Sequence, residues 1–321
     1  MSLMHSATHP TLYRIHPVSF RDGNGDGVGD VEGLLSTLPY FDALSVDGLV
    51  VPQVWLADAS GAAAARGLTL WHGDDTGHLY QDDQPYASSP LAQQVVPFSA
   101  EKLVEVLNAR RHRLADSVWS TGDANQPRVV SHWGQGDLRS ADAFLTLLAL
   151  LPAPICLYQG EELGLPHAAD LHDPLGAQTP MPWHEAPEQV TAGEIHWYQQ
   201  VAIEHRALAI SRQQHDGQST LQYCRSLLAL RRLPVIQHGE LQAVSQQNGL
   251  VRLLITHQDQ CLEALINLQP YTQAAAPSEA TMPWAWQTAQ GQEGHQWVLA
   301  GFASAIFTRN VNCESRGVTH G

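Results

Sequence analysis

Positive charge is scarce in this chain. Lys and Arg number 17 against 32 Asp and Glu, a formal net charge of −15. Nucleic-acid binding needs cationic side chains to displace the counterions held at phosphates. Docking on anionic lipid needs them too. The composition argues against both. Cysteine is also scarce: Cys156, Cys224, Cys261 and Cys313 form no CxxC pair. Free thiols in a reducing, cytoplasmic setting are expected. Long apolar runs are missing. The longest, Ala143 to Tyr158, is broken by Pro152 and Pro154, and reads as a helix, a break and a strand, not a membrane span. Met1 to Pro10 has no basic-then-apolar layout, so no cleaved leader is expected. There is no convincing internal repeat and no heptad run.

What is present supports a folded chain. The hydrophobic fraction is 44% of 321 residues, enough for a large core and for one large domain with a smaller one. Tyr13 to Phe20 is β-prone, and Asp22 to Asp30 is a loop. Val31 to Leu44 has helical spacing, and Asp47 to Trp55 reads as a buried strand. Strand, helix and strand with short connections make a parallel βα unit. Ala57 to Arg66 is a linker or short helix, and Gly67 to Pro97 shows turn residues with little periodicity. A helix from Ser99, its N-cap, to Leu114 follows. Alternation returns with a strand at Asp116 to Ser120, a helix at Leu138 to Leu151 and a strand at Ala153 to Gln159. Ile195 to Ile210 and Ser219 to Arg232 are further helices. From about Glu240 only short strands remain: Leu241–Ser245, Leu250–Thr256, Leu262–Leu268, Gln296–Leu299 and Ala303–Thr308. These predict a C-terminal antiparallel β-domain over 236–310 after an α/β domain over 1–235, with a frayed tail at 311–321.

One loop carries distinct chemistry. Asp22, Asn24, Asp26 and Asp30 stand at positions 1, 3, 5 and 9, Gly27 at position 6, and Val28 at position 7 can offer its carbonyl. Hard oxygen donors at this spacing wrap a calcium-sized cation. Clustered carboxylates repel one another unless a cation or protons neutralise them. Position 12 is Gly33 rather than a bidentate Glu, and the loop follows a strand, so an EF-hand pair is not expected. Phosphate binding is rejected, because the spacing is not GxGxxG and the carboxylates would repel it.

The run Tyr13-Arg-Ile-His-Pro-Val-Ser-Phe-Arg-Asp-Gly-Asn-Gly-Asp-Gly-Val-Gly-Asp30 strongly resembles the opening of the α-amylase superfamily, glycoside hydrolase family 13. The nearest type is that of the α-glucosidases, oligo-1,6-glucosidases and trehalose synthases. Further stretches resemble the family in order: His78 to Pro85, Asn125 to Gly134, Pro154 to Gly164, Thr179 to Trp183 and Leu227 to Arg232. The resemblance implies a (β/α)8 TIM-type barrel followed by a C-terminal β-sandwich, with catalysis at the C-terminal strand ends. It implies α-glucosides or oligosaccharides as partners and a structural calcium on Asp22, Asn24, Asp26, the Val28 carbonyl and Asp30. It also implies substrate contacts from Tyr13 and Arg128. The family reaction is retaining cleavage or transfer, in which one carboxylate attacks and a second, about 5–5.5 Å away, acts as acid and then base.

Departures from the family pattern bear on activity. The seventh-strand Asn-His-Asp is replaced by Asp123-Ala124-Asn125. The degenerate catalytic position therefore falls on Asp123 and Asn125. Asn125 cannot balance oxocarbenium charge, and Asp123 is displaced by about 7 Å along a strand. The fourth-strand Gly-x-Arg-x-Asp and the third-strand Val-x-Asn-His are absent. Glu161 and Glu162, at the eighth-strand end, are expected to hold loop backbone. Length explains the loss. One unit from Tyr13 to Asp47 takes 34 residues, and another from Asp116 to Ala153 takes 37, but Trp55 to Trp119 leaves only 63 for strands three to six. A full barrel of about 250 residues does not fit. A truncated barrel with impaired chemistry, or a non-catalytic binding or assembly scaffold, is the expectation. A truncated barrel leaves apolar faces such as the Leu138–Leu151 helix without neighbours, so a homodimer is expected. His167, Asp170, His172 and Asp173 lack helical spacing for a transition metal. Trp183, Trp197, Trp284 and Trp286 are read as packing residues. Ser131 beside His132 makes no triad.

Overall fold

The computed structural model describes residues 8–74, 78–82, 84–87, 89–91, 98–169, 171, 174–185, 201–277, 283–287, 291–293 and 296–310. Strands β1 (Thr11–Arg14), β2 (Gly48–Val50) and β3 (Thr69–Gly73) run parallel, with Leu12 opposite Gly48 and Gly48 opposite Thr69. A hairpin extends this edge: β4 (Leu79–Gln81) is antiparallel to β3, and β5 (Gln84–Tyr86) is antiparallel to β4. On the other side of β1, β6 (Ile155–Tyr158) pairs in parallel, with Thr11 opposite Ile155.

The two edges of this sheet meet through one short run. Ala87, next after β5, bridges Ser117, and Trp119 bridges Ile155, both in parallel. Val118 N–H donates to the Ala87 carbonyl (3.0 Å), Trp119 N–H to that of Pro154 (2.9 Å) and Cys156 N–H to that of Trp119 (2.8 Å). The sheet thus curls back on itself. Leu12, Val50, Trp71, Leu79, Val118 and Cys156, with Tyr86, form one cluster to which every strand of the ring contributes a side chain. Strand alternation sends the neighbours Tyr13, Leu49 and Leu157 to the larger cluster beneath the helices.

Local chemistry explains where elements start and stop. The Val31–Leu44 helix is two helices, Val31–Ser36 and Leu38–Leu44. Pro39 has no N–H to continue the ladder, and the Thr37 hydroxyl donates to the carbonyls of Gly33 and Leu34 at the end of the first helix. Asp47 to Trp55 is a strand only to Val50; Gln53–Trp55 is a 3-10 turn. Ala57 to Arg66 is helical, as Leu56–Ala65. The apparently patternless Gly67–Pro97 segment supplies β3, β4 and β5. Ser99 caps the Ala100–Arg110 helix by accepting from Lys102 N–H, and Ser219 caps Thr220–Leu230 by accepting from Gln222 N–H. Of the expected Ile195–Ile210 helix, residues 195–200 lie outside the described residues. The remainder holds the single turn Ile203–Arg206 and the start of Ile210–Gln213.

The C-terminal part is antiparallel. A five-stranded sheet has the order β11 (Pro283–Gln287), β14 (Ser304–Asn310), β9 (Gln260–Asn267), β8 (Leu250–His257) and β7 (Glu240–Gln247). A three-stranded sheet has the order β10 (Gln273–Ala275), β13 (Gln296–Leu299) and β12 (Gly291–Glu293). The expected tail at 311–321 lies outside the described residues. One hydrophobic cluster runs through both parts of the chain, from Leu147 and Leu227 to Leu253 and Ile255.

The helix expected to lack neighbours has them. Ser140–Ala149 is buried at every position except Asp142, because the Thr220–Leu230 helix and β9 cover it. The reason given for a homodimer therefore falls away. Among the described residues no helix is long and apolar enough to cross a membrane.

Arg231 ties the N-terminal ends of β1 and β6 to the Thr220–Leu230 helix. It is 1% exposed. Its Nε donates to the Thr11 hydroxyl, and its two terminal nitrogens donate to the carbonyls of His9, Ala149, Leu151 and Ala153 (2.7–3.2 Å). Burial pulls its pKa down to about 9. Next to it, Asp47 accepts from Thr11 N–H (2.8 Å) and from Arg232 (2.6 Å). Arg231→Leu removes five hydrogen bonds to buried acceptors, of which the His9 and Leu151 carbonyls keep another donor, from Gln237 and Ala153, so it should cost at least about 3 kcal/mol in urea unfolding. Arg231→Lys, with three donors, should cost less. A loss under about 1 kcal/mol for Arg231→Leu would count against this role.

Candidate functional site

The C-terminal ends of β1, β6 and the Ser117–Trp119 run carry Ile15–His16, Gln159–Glu162 and Ser120–Asp123. Two adjacent buried carboxyls organise this end. Glu161 accepts from Tyr158 N–H (2.9 Å) on one oxygen and from the Thr121 hydroxyl (2.8 Å) on the other. Glu162 accepts from Gly160 N–H (2.9 Å), and its other oxygen takes the hydroxyls of Tyr13 (2.8 Å) and Tyr40 (2.7 Å). Gly160 makes the turn possible: its φ is +87°, and a Cβ there would press on Leu165 and Arg128. Both glutamates hold loop backbone, as their place after β6 suggested.

The surrounding polar groups are also committed. Arg128 is 2% exposed. It donates to the carbonyls of Gln159 (2.7 Å) and Ala177 (3.0 Å), and lies 5.3 Å from the Tyr158 ring centre. Gln159 accepts from His16 N–H (2.7 Å) and donates to the Ser19 hydroxyl (3.1 Å). Burial first, and then the Arg128 charge, hold the His16 pKa down to about 4.

The sequence-derived site residues fall unevenly on this geometry. Asp123 is half-buried at the mouth, where its Oδ1 accepts from Asn125 N–H (2.7 Å). Asn125 itself is exposed. Tyr13 and Arg128, the expected substrate contacts, are both buried. Tyr13 has 0% exposure and packs edge-on against Phe20 and Phe41, while Arg128 gives its two terminal nitrogens to carbonyls. Thr121, Tyr40, His16 and Gln159 were not foreseen. Their partners come from distant segments, and no local spacing marks them.

The Asp/Gly loop is tightly self-bonded. Asp22 is 4% exposed, and its carboxylate accepts from Gly25 N–H (2.6 Å) and Gly27 N–H (2.8 Å). Asn24 Oδ1 accepts from Asp26 N–H, and Asp26 Oδ1 from Val28 N–H, both at 2.9 Å. Asp30 caps the next helix by accepting from Gly33 N–H (2.6 Å) and also takes Gly23 N–H (3.1 Å). A side chain at position 33 would run into the Arg21 carbonyl, which explains why no bidentate Glu stands there. Asp30 Oδ1 takes two amides, whereas each acceptor oxygen of Asp22, Asn24 and Asp26 takes one and keeps a lone pair, which is the donor type a hard cation takes. Among the described residues no three His, Cys, Asp or Glu side chains gather as a metal cluster.

The remaining candidates resolve into packing. Trp183 donates to the Phe20 carbonyl (2.8 Å) and sits edge-on to Tyr40 and Phe20. The Ser131 hydroxyl accepts from His167 N–H (2.8 Å). Asp170, His172, Asp173 and Trp197 lie outside the described residues. Trp284 and Trp286 are on β11, where only the backbone is described.

Burial pushes the Glu161 carboxyl up to about 7 from its ordinary 4.5, against the pull of its hydrogen bonds from Tyr158 and Thr121. A folded-state pKa above the unfolded one means that the native state holds the proton longer. Stability is therefore lost as pH rises from about 4.5 through about 7. Glu161→Gln keeps an acceptor for Tyr158 N–H and removes the ionisation. Its melting temperature should exceed that of the parent at about pH 8, and the gain should vanish near pH 4. A gain independent of pH would contradict the assignment.

A curled, mainly parallel sheet with polar groups gathered at the C-terminal strand ends has the layout of a barrel whose site sits at that face. Residues 78–239 match the model of the alpha amylase catalytic domain. The chain belongs to the α-amylase family, and its relatives are of the α-glucosidase and oligo-1,6-glucosidase type. A probable alpha-glucosidase of Rhizobium meliloti is 30% identical over 241 residues, covering 68% of this chain and 41% of that protein. The oligo-1,6-glucosidase of Heyndrickxia coagulans is 34% identical over 98 residues, 28% of this chain and 17% of that one. The chain thus spans well under two thirds of the length of the curated relatives it matches. In fold it is similar to the isomaltulose synthase of Protaminobacter rubrum (TM-score 0.74, 12% identity, 96% of this chain and 100% of that one). It is also similar to the trehalose-6-phosphate hydrolase of Bacillus licheniformis (TM-score 0.73, 12% identity, 95% and 99%).

Proposed function

We propose that this chain is an α-glucosidase-type protein of carbohydrate metabolism that engages short α-glucosides through a shortened (β/α)8 barrel but lacks competent retaining cleavage. One observation carries this reading: Glu161 and Glu162 are buried and spend their oxygens on internal donors. Asp123, half-buried at the mouth, gives its Oδ1 to Asn125 N–H. Retaining cleavage needs two carboxyl groups about 5–5.5 Å apart, one of them free to attack. The absence of the Gly-x-Arg-x-Asp motif from the chain supports the same reading. A second reading, residual hydrolysis, rests on Glu161. A carboxyl raised to about 7 is protonated near neutrality, as a general acid must be.

Purified protein should give no turnover of p-nitrophenyl α-glucoside or maltose. Turnover that is lost in both Asp123→Ala and Glu161→Gln would establish the second reading and overturn the first.

Calcium is part of the proposal as a structural ion. Asp22, Asn24, Asp26, the Val28 carbonyl and Asp30 would hold it, and its charge would offset three carboxylates in one loop. EDTA should lower the melting temperature by a few degrees, the shift that about 1 kcal/mol produces. Asp26→Ala should lower it similarly and make EDTA without effect. An unchanged melting curve in both cases would remove calcium from the proposal. A reducing, cytoplasmic setting fits the buried free thiols Cys156, Cys224 and Cys261.

A further inference from the structure

A cleft of ≈ 1030 Å³, lined by none of the residues at the barrel mouth, opens between the start of the Ala100–Arg110 helix, the turn after Trp133 and the β9–β10 connection. Small-molecule sites fall at roughly 300–1,000 Å³, so it has room for a ligand of several rings. Its character comes from two kinds of side chain.

The first is aromatic. Trp133 and Phe302 are 3% and 7% exposed and line the cleft, with Phe98 stacked on Trp133 at 5.3 Å between ring centres. Tyr271 stands on the rim at 55% exposure. Phe302 holds its place at a backbone φ of +61°, a region that a bulky side chain enters only under strain. Two bonds over-determine it: Phe302 N–H donates to the Gln269 carbonyl (3.0 Å), and the next N–H, of Ala303, donates to the Ala300 carbonyl (3.1 Å). Arg139 covers the ring at 5.9 Å.

The second kind is the neutral amide. Gln135, Asn248, Gln269 and Gln273 all line the cleft. Gln273 is anchored by its Nε2, which donates to the Asn248 carbonyl (3.1 Å) and to Asn267 Oδ1 (2.8 Å). The amide row continues into an adjoining cleft of ≈ 520 Å³ that shares Asn248 and Gln273 and adds Gln246, Gln247 and Gln296. The carboxylates present are already engaged. Asp137 pairs with Arg139 (2.6 Å), and Glu101 accepts from the Ser99 hydroxyl and from Gln246, both at 3.0 Å.

This chemistry selects a ligand class. An apolar ligand would strip water from a row of amides that it could not satisfy. A phosphorylated or carboxylated one would meet Glu101 and a chain of net charge −15. A neutral polyhydroxylated ligand meets neither cost. The Gln135, Asn248 and Gln269 amides offer donors and an acceptor side by side, and Gln273 adds its Oε1, matched to vicinal hydroxyls. An exposed tyrosine presents a flat apolar face to a sugar ring. We propose that this cleft is a second carbohydrate site, for a short neutral oligosaccharide, with Tyr271 as its stacking platform. It operates independently of any chemistry at the barrel mouth.

Calorimetric titration of the full chain with maltotriose tests it. Binding is expected in the parent. Tyr271→Ala should weaken it about tenfold, while Tyr271→Phe, which keeps the ring, should stay close to the parent. Tyr271 is exposed, so the alanine variant should melt with the parent. If it does not, Gln135→Ala, on the opposite rim, takes its place with the same expected weakening. Absence of binding up to about 10 mM maltotriose would overturn the proposal. So would parent-like affinity in the alanine variant, which would move the sugar to another part of the protein, such as the barrel mouth.

Discussion

Three backbone hydrogen bonds decide whether the N-terminal sheet has edges. An open sheet edge presents unpaired amides and carbonyls that invite association, and this chain has too few residues for the usual number of strands. The run around Trp119 resolves the conflict by pairing with Ala87 on one side and with Pro154 and Cys156 on the other. Once the ring closes, its interior is narrow enough for a few side chains to fill, with the Trp71 indole as the largest of them. The helices then pack on the outside, and Arg231 secures the N-terminal end through carbonyls that no strand partner uses.

The same compression shapes the candidate site. Glu161 and Glu162 sit where a barrel of this family gathers its polar groups, yet they act as acceptors that replace missing architecture. They hold the backbone of the β6 turn and the hydroxyls of Thr121, Tyr13 and Tyr40. A carboxyl that supports a loop from inside the core is poorly placed to attack a sugar, because an internal donor occupies each oxygen. The polar cleft beside the β-domain owes nothing to the barrel mouth, and its amides and strained Phe302 persist without catalytic chemistry.

Legibility followed the range of the interactions. The Ala100–Arg110 and Thr220–Leu230 helices were readable, because a serine cap and an apolar stripe act within a few residues. The C-terminal strands were readable by alternation. The Gly67–Pro97 segment was not. β3, β4 and β5 are short, and their partners lie in other segments, so no local period marks them. The exposed, half-buried and buried states of Asn125, Asp123 and Tyr13 were likewise invisible. Tyr13 sits in a family-like motif, but its ring turns outward under the helices rather than into the mouth.

What the sequence by itself determined was family, the two serine-capped helices and the oxygen pattern of the Asp22–Asp30 loop, since each is a matter of residue type and spacing. Tertiary structure alone decided that the sheet could close on itself, that Glu161 and Glu162 became internal struts, and that aromatic rings and amides from five separate segments line one cleft. The reason is physical. Closure, burial and convergence depend on contacts between residues tens to more than a hundred positions apart, and a one-dimensional pattern carries no record of which of them meet.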